Sequence, residues 1–152
     1  MKTFVIGCDN AAVALKNTLR DYLESLGYGV EDVGCFTSED DIYYPLVAEK
    51  VCNAIIESGY EKQGVLVCGT GLGMAMTANK FKGIRAGVCH DNFSAERLAL
   101  SNNGNVICFG ERIVGAELAK KCLKEFASLT FKDGSSTPKV AAIIGIEEKT
   151  MK

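Results

Sequence analysis

The chain has 152 residues, 47% hydrophobic and 24% charged, with a formal net charge of −2; this suffices for one domain with its own core and lacks the basic surplus of a nucleic-acid or membrane-surface binder. No apolar stretch approaches transmembrane length, and the apolar part of the opening MKTFVIGCDN is too short for a signal peptide, so neither membrane nor nucleic acid is expected as a partner. Seven cysteines without a CxxC pair and a single histidine, His90, argue for a reduced, cytoplasmic setting and against a metal site.

Along the chain, short apolar runs alternate with longer segments of helical period. TFVIGC (3–8) reads as the first strand, and AAVALKNTLRDYLESLG, apolar every three and four residues, as a helix ended by Gly27. GVEDVG (29–34) is the weakest strand signal; PLVAEKVCNAIIESG follows as a helix opened by Pro45 and closed by Gly59. GVLVC (64–68), IRAGVC (84–89) and NVICFG (105–110) are three further strands, and VGAELAKKCLKEFASL is a helix. The tail FKDGSSTPKVAAIIGIEEKTMK carries a turn and then a helix from about Pro138, rich in Ala and Ile. The pattern predicts an α/β fold: a single Rossmann-like domain over 1–152, with a doubly wound, parallel, five-stranded sheet between two helical layers. The last helix needs cover for its apolar face, which a partner subunit would supply.

Ligands of such sheets bind beyond the carboxyl ends of the strands, near the switch in strand order. That edge should carry Cys8-Asp9-Asn10, Cys68 to Gly73, His90-Asp91 and Phe109 to Arg112. The stretch VLVCGTGLGMAMTANK (65–80) is the most pointed of these. Gly69, Gly71 and Gly73 let backbone approach a ligand, and the helix after them offers unpaired N–H groups, so the loop reads as an anion cradle or, more plainly, a tight turn. The dinucleotide fingerprint fails because Met74 stands at its third glycine, and no Lys-Ser or Lys-Thr pair completes a phosphate loop. Cys68, at the strand end facing this cradle, is either one more small buried residue or a thiolate acting as base or nucleophile, with the Thr70 hydroxyl placed to relay a proton.

GCDNAAVALK, VLVCGTGLGMAMTANKFKGIRAGVCHD, FSAERLALSNNGNVICFGERIVG and the tail helix resemble, in order and over essentially the whole chain, the ribose-5-phosphate isomerase B and galactose-6-phosphate isomerase family. The resemblance implies a cofactor-free aldose–ketose isomerase of a phosphorylated sugar, working through a cis-enediolate in a homodimer, or a tetramer made of two such dimers, whose sites are shared between subunits. It implies Cys68 as the base and Thr70 as its relay. The backbone around Gly69, Gly71, Leu72 and Gly73, with Asn102 reaching across the dimer interface, is implied as the anion hole. Asp9, Asn10, Tyr44 and Ser101 fall at substrate-binding positions, and Arg112, Ser135 and Lys139 at the phosphate end. Asp9 has a competing reading as a helix N-cap. His90 lies in a CHD segment with no catalytic role implied and reads as a strand-end residue with satisfied hydrogen bonds.

The departures carry information. Typical ribose-5-phosphate isomerases have histidine where this chain has Asn10, a ring-opening histidine where it has Ser101, and two phosphate-binding arginines where it has Ser135 and Lys139. Ribose 5-phosphate closes through O4, so its isomerase must first open a furanose. A tetrose 4-phosphate has O4 esterified and forms no such ring. The family default is therefore ribose 5-phosphate to ribulose 5-phosphate, with erythrulose 4-phosphate to erythrose 4-phosphate as the rival substrate pair. Two other classes stand beside the isomerase: a nucleotide-binding regulatory module, supported by the glycine loop and Asp91, and a sugar-phosphate binding protein without catalysis. The first leaves Cys68 and Thr70 unexplained, and the second is opposed by the intact Cys68, Thr70 and glycines.

Overall fold

The computed structural model describes residues 2–151; Met1 and Lys152, the ends of the expected 1–152 domain, lie outside the described residues. Strands and helices alternate as β1 (Thr3–Cys8), α1 (Val13–Ser25), β2 (Gly29–Asp32), α2 (Tyr44–Glu57), β3 (Gln63–Cys68), α3 (Leu72–Ala78), β4 (Ala86–Val88), α4 (Asn92–Leu100), β5 (Val106–Gly110), α5 (Ala116–Ser128) and α6 (Thr137–Thr150). The five strands are parallel in the order β2-β1-β3-β5-β4. The chain moves outward from β1 to β2, then returns to place β3 on the other side of β1. The crevice between the carboxyl ends of β1 and β3 is thus the switch point where an open α/β sheet binds its ligand.

Period-two alternation of buried side chains builds two cores. Phe4, Ile6, Val65, Val67, Ile107 and Phe109 face α1, α4 and α5, while Val5, Leu66, Cys68, Val106 and Cys108 face α2 and α3. Cys68 therefore ends a fully buried strand on the α2–α3 face. Three strands are shorter than their apolar runs, β5 by the single residue Asn105 and β2 and β4 by more. β4 begins only at Ala86 because the Arg85 N–H is taken by the Asn105 side chain, at 2.8 Å, and β2 ends at Asp32, whose carboxylate accepts the Gly34 N–H at 2.9 Å. The final helix α6 forms as expected, with Val140 buried and Ile143 and Ile146 exposed. No helix among the described residues is long and apolar enough to cross a membrane.

A charge is buried under the sheet edge. Lys16, fully enclosed, donates to both carboxylate oxygens of Asp32 (2.9 and 2.8 Å) and to the Cys35 carbonyl (2.8 Å). Burial alone would push the Asp32 carboxyl up, but donation from Lys16, the Gly34 N–H and Arg20 outweighs it and holds the group below its ordinary range. The pair locks α1 to the segment after β2. Lys16→Met leaves Asp32 short of its main counter-charge, and a loss of about 3 kcal/mol in urea unfolding is expected.

His90 closes the other side. Its Nε2 accepts the Gly110 N–H at 2.9 Å and its ring stacks on Phe109, which assigns the neutral tautomer with the proton on Nδ1. Burial pushes this imidazole below its ordinary value of 6.5, with Asp91 opposing only in part. The unfolded chain therefore takes up the proton first, so this contribution to stability is complete above pH 6.5 and is lost as pH falls through the lower folded value. The depressed Asp32 and Asp91 carboxyls lose theirs only below their ordinary 3.8, a separate window. Thermal melts should show a midpoint falling on acidification below pH 6.5, and His90→Gln, which keeps an acceptor but does not titrate, should flatten that segment of the curve.

Candidate active site

The loop after β3 is shaped by its glycines and by what lies beneath it. Gly71 sits at φ +81°, a left-handed conformation that side-chain-bearing residues seldom adopt, and so turns the chain sharply into α3. Gly110 lies under Thr70 so closely that a Cβ there would stand 2.6 Å from the Thr70 Cα. The loops after β3 and β5 are also bonded directly: the Glu111 N–H donates to the Cys68 carbonyl (2.9 Å) and the Arg112 N–H to the Gly69 carbonyl (3.0 Å).

This turn brings the Gly71 N–H to the Cys68 sulfur at 3.1 Å, and the Leu72 N–H to the Thr70 hydroxyl oxygen at 3.3 Å. Two N–H groups of the expected anion hole are thus directed at the side chains expected to move protons. A donor aimed at sulfur stabilises negative charge there, and a Thr70 hydroxyl that accepts from backbone keeps its own proton free to donate. The N–H groups of Gly73 and Met74, in the first turn of α3, have no partner within the helix by its geometry and remain suited to an oxyanion. Burial pushes the Cys8, Cys52 and Cys89 thiols up to about 12 and raises those of Cys35, Cys108 and Cys122, which suits inert core residues.

Around Cys68 lies an open cleft of about 250 Å³ lined by Asp9, Tyr44, Gly69, Thr70, Gly73 and Arg112. Tyr44, the first residue of α2, lays its ring directly over Gly73. The Arg112 side chain covers Gly69, its Nη1 3.4 Å from where a Cβ would stand, and among the described residues it pairs with no carboxylate. Asp9 is not the N-cap of α1. That position is Ala12, and the Asp9 carboxylate instead accepts the Ala11 N–H at 3.1 Å while its backbone N–H donates to the Val67 carbonyl. Asn10 is exposed on a second hollow of about 400 Å³ that joins the first through Asp9 and Tyr44 and also includes Asp41 and Tyr43. No group of three or more metal-ligating side chains gathers among the described residues.

Four expected residues lie elsewhere in the chain. Ser101 and Asn102 follow α4 at the amino-terminal edge of the sheet, where Asn102 lines a hollow with Arg85, Ala86 and Ile143, and the Ser101 hydroxyl accepts from the Arg97 guanidinium at 3.1 Å. Ser135 and Lys139 belong to the turn before α6 and its first turn, and neither lines the Cys68 cleft. Within one chain the expected residues therefore divide: Asp9, Tyr44, Thr70 and Arg112 meet Cys68 at the carboxyl edge, Ser101 and Asn102 lie after α4, and Ser135 and Lys139 lie at the start of α6. Glu111, Asp41 and Tyr43 were not singled out from the sequence. The signal for Glu111 was present, an acid directly before the arginine in GERIVG.

The chain matches the ribose/galactose isomerase family over residues 4–143. It is 44% identical over 143 residues to a D-erythrulose-4-phosphate isomerase of Pectobacterium atrosepticum, covering 94% of this chain and 93% of the relative. A D-erythrulose-4-phosphate isomerase 2 of Mycolicibacterium smegmatis is 45% identical over 135 residues, 88% of either chain. Among solved structures, ribose-5-phosphate isomerase B of Clostridium thermocellum superposes with a TM-score of 0.91 at 35% identity, over 97% of this chain and 98% of that one. A thiol held by a loop N–H in a glycine cradle, on a chain aligned end to end with such relatives, leads to one assignment: the chain belongs to the ribose/galactose isomerase family and is a sugar-phosphate isomerase of the aldose–ketose type.

Proposed function

We propose that the protein interconverts erythrulose 4-phosphate and erythrose 4-phosphate. The observation that carries this reading is Ser101, a residue without a basic side chain at the position where ribose-5-phosphate isomerases of the family place their ring-opening histidine. A four-carbon sugar esterified at O4 has no furanose to open, so the loss has no chemical consequence for it. The names of the two erythrulose-phosphate relatives support the same reading.

In the reaction, the Cys68 thiolate takes the proton from the carbon next to the carbonyl and returns it to the neighbouring carbon, giving a cis-enediolate in between. The oxyanion is stabilised by the loop N–H groups of the Gly69–Gly73 cradle, and the Thr70 hydroxyl passes a proton between the two sugar oxygens. Asp9 and Tyr44, with Asn10 further out, hold the sugar hydroxyls. Arg112 holds the phosphate, which in a tetrose sits about one carbon nearer the base than in a pentose. Ser101, Asn102, Ser135 and Lys139 complete the site from a second copy, with α6 and its exposed Ile143 and Ile146 covered by that copy. No cofactor enters this scheme. The seven free cysteines fit a single isomerase domain working in the reducing cytoplasm.

Isomerisation of erythrulose 4-phosphate, erythrose 4-phosphate and ribose 5-phosphate, measured side by side, tests the substrate. Expected is a kcat/KM for the tetrose pair at least about tenfold above that for the pentose; a pentose rate above the tetrose rate overturns the reading. Cys68→Ser should lower kcat by about a thousandfold, the scale of a lost general base, while sugar-phosphate binding by calorimetry stays near wild type. A serine variant with near-full turnover would remove Cys68 from the chemistry.

A further inference from the structure

The reaction scheme leaves Glu111 without a task, yet its position is unusual. Its backbone N–H donates to the Cys68 carbonyl, and its half-buried side chain crosses to the start of α1, where Oε1 accepts the Leu15 N–H at 3.0 Å. Ala12, the N-cap of α1, offers no side-chain oxygen, and the Asp9 carboxylate is occupied with Ala11. The first turn of α1 therefore receives its carboxylate from another loop, ninety-six residues along the chain. The next residue is Arg112, whose guanidinium covers Gly69 in the cleft and has no carboxylate partner among the described residues.

We propose that Glu111 is a positioning residue for the phosphate end of the substrate: by binding the α1 N–H it fixes the turn after β5 and keeps its own carboxylate away from Arg112. This rests on the reading of Arg112 as the phosphate ligand. Two physical effects combine. The turn holding Arg112 is anchored by the Arg112 N–H to Gly69 and by the Glu111 carboxylate to α1, so removing the second anchor lets the guanidinium swing. A carboxylate adjacent to an unpaired guanidinium would otherwise pair with it and repel the incoming dianion, whereas at the positive end of α1 its charge is compensated. The effect should appear in phosphate binding and not in the proton transfer at Cys68.

The experiment is steady-state kinetics on the active sugar phosphate for Glu111→Ala, Glu111→Gln, Arg112→Ala and the Glu111→Ala/Arg112→Ala pair, with thermal midpoints alongside. Expected is a KM raised about tenfold in Glu111→Ala with kcat within about twofold, the scale of one hydrogen bond to a charged group. Glu111→Gln, whose amide oxygen still accepts the Leu15 N–H, should restore KM to within about twofold of wild type. The double variant should have the KM of Arg112→Ala alone, because Glu111 acts through Arg112. A Glu111→Ala protein with a lower midpoint and unchanged KM, or a double variant whose KM effects multiply, overturns the proposal and leaves Glu111 a helix cap. Arg112→Ala with unchanged KM removes the phosphate assignment itself, and the proposal with it, before Glu111 is touched. Should Glu111→Ala not fold, Glu111→Asp, one methylene shorter, is expected to raise KM to a lesser degree; a wild-type KM there counts against the role.

Discussion

The candidate site depends on two hydrogen bonds between loops: Glu111 N–H to the Cys68 carbonyl and Arg112 N–H to the Gly69 carbonyl. They continue the β3–β5 ladder from Cys68, the last residue of β3, into the turn, so the glycine loop is held by sheet geometry. Gly110 makes this approach feasible, since any side chain there would strike the Thr70 backbone. His90 secures the same glycine from the other side by accepting its N–H. With that floor fixed, the left-handed turn at Gly71 has one way to run, and its N–H lands on the Cys68 sulfur. The thiol proposed as the base thus meets its one hydrogen-bond donor through backbone placement.

The cysteines are shared between the two cores. All seven are buried. In six of them burial is the leading influence and raises the thiol, as expected of small apolar side chains under helices. Cys68 belongs to the same α2–α3 core by its position in β3, yet it ends the strand where the cleft opens and a backbone donor meets it. One strand residue thus serves as the last member of a core and the first member of a site. Substitution there risks both functions, and for that reason a serine, close in shape, separates them better than an alanine.

Much of this was legible in the sequence, for specific reasons. β1 was read with its observed bounds because Thr3–Cys8 is a continuous apolar run in a fully buried parallel strand, a pattern with little ambiguity at the ends. β4 is shorter than the run IRAGVC because side-chain capture of the Arg85 N–H by Asn105 is a long-range event that the apolar residues on either side of Arg85 do not reveal. The carboxyl ends of the strands point to the edge where Asp9, Cys68, Thr70 and Arg112 meet, while Tyr44, at the start of α2, is reached only through the family resemblance. Asp9 as an N-cap looked competitive because Asp before a helix usually caps it, but the chain inserts a turn through Ala11 and Ala12 first. Glu111 was passed over because its partner, Leu15, is distant in sequence and no local pattern points from one to the other. Contacts between loops are what periodicity cannot encode.

The division of the polar residues between two edges has a consequence for substrate choice. Cys68 and Thr70, the groups proposed to move protons, sit on the glycine cradle within one chain, so under that proposal the chemistry at the first two carbons is set locally. Of the four positions that the family resemblance marks as departures from the ribose enzymes, Ser101, Ser135 and Lys139 lie in segments that follow α4 or lead into α6, while Asn10 lies on the hollow that joins the Cys68 cleft. In a shared site, such segments reach the far end of the sugar, where chain length and ring form are read. Under the proposed function, variation at these four positions changes which phosphorylated sugar fits while the proposed base, relay and N–H donors stay in place. On that reading a single fold keeps one proton transfer and exchanges a pentose for a tetrose by altering residues around O4 and the phosphate.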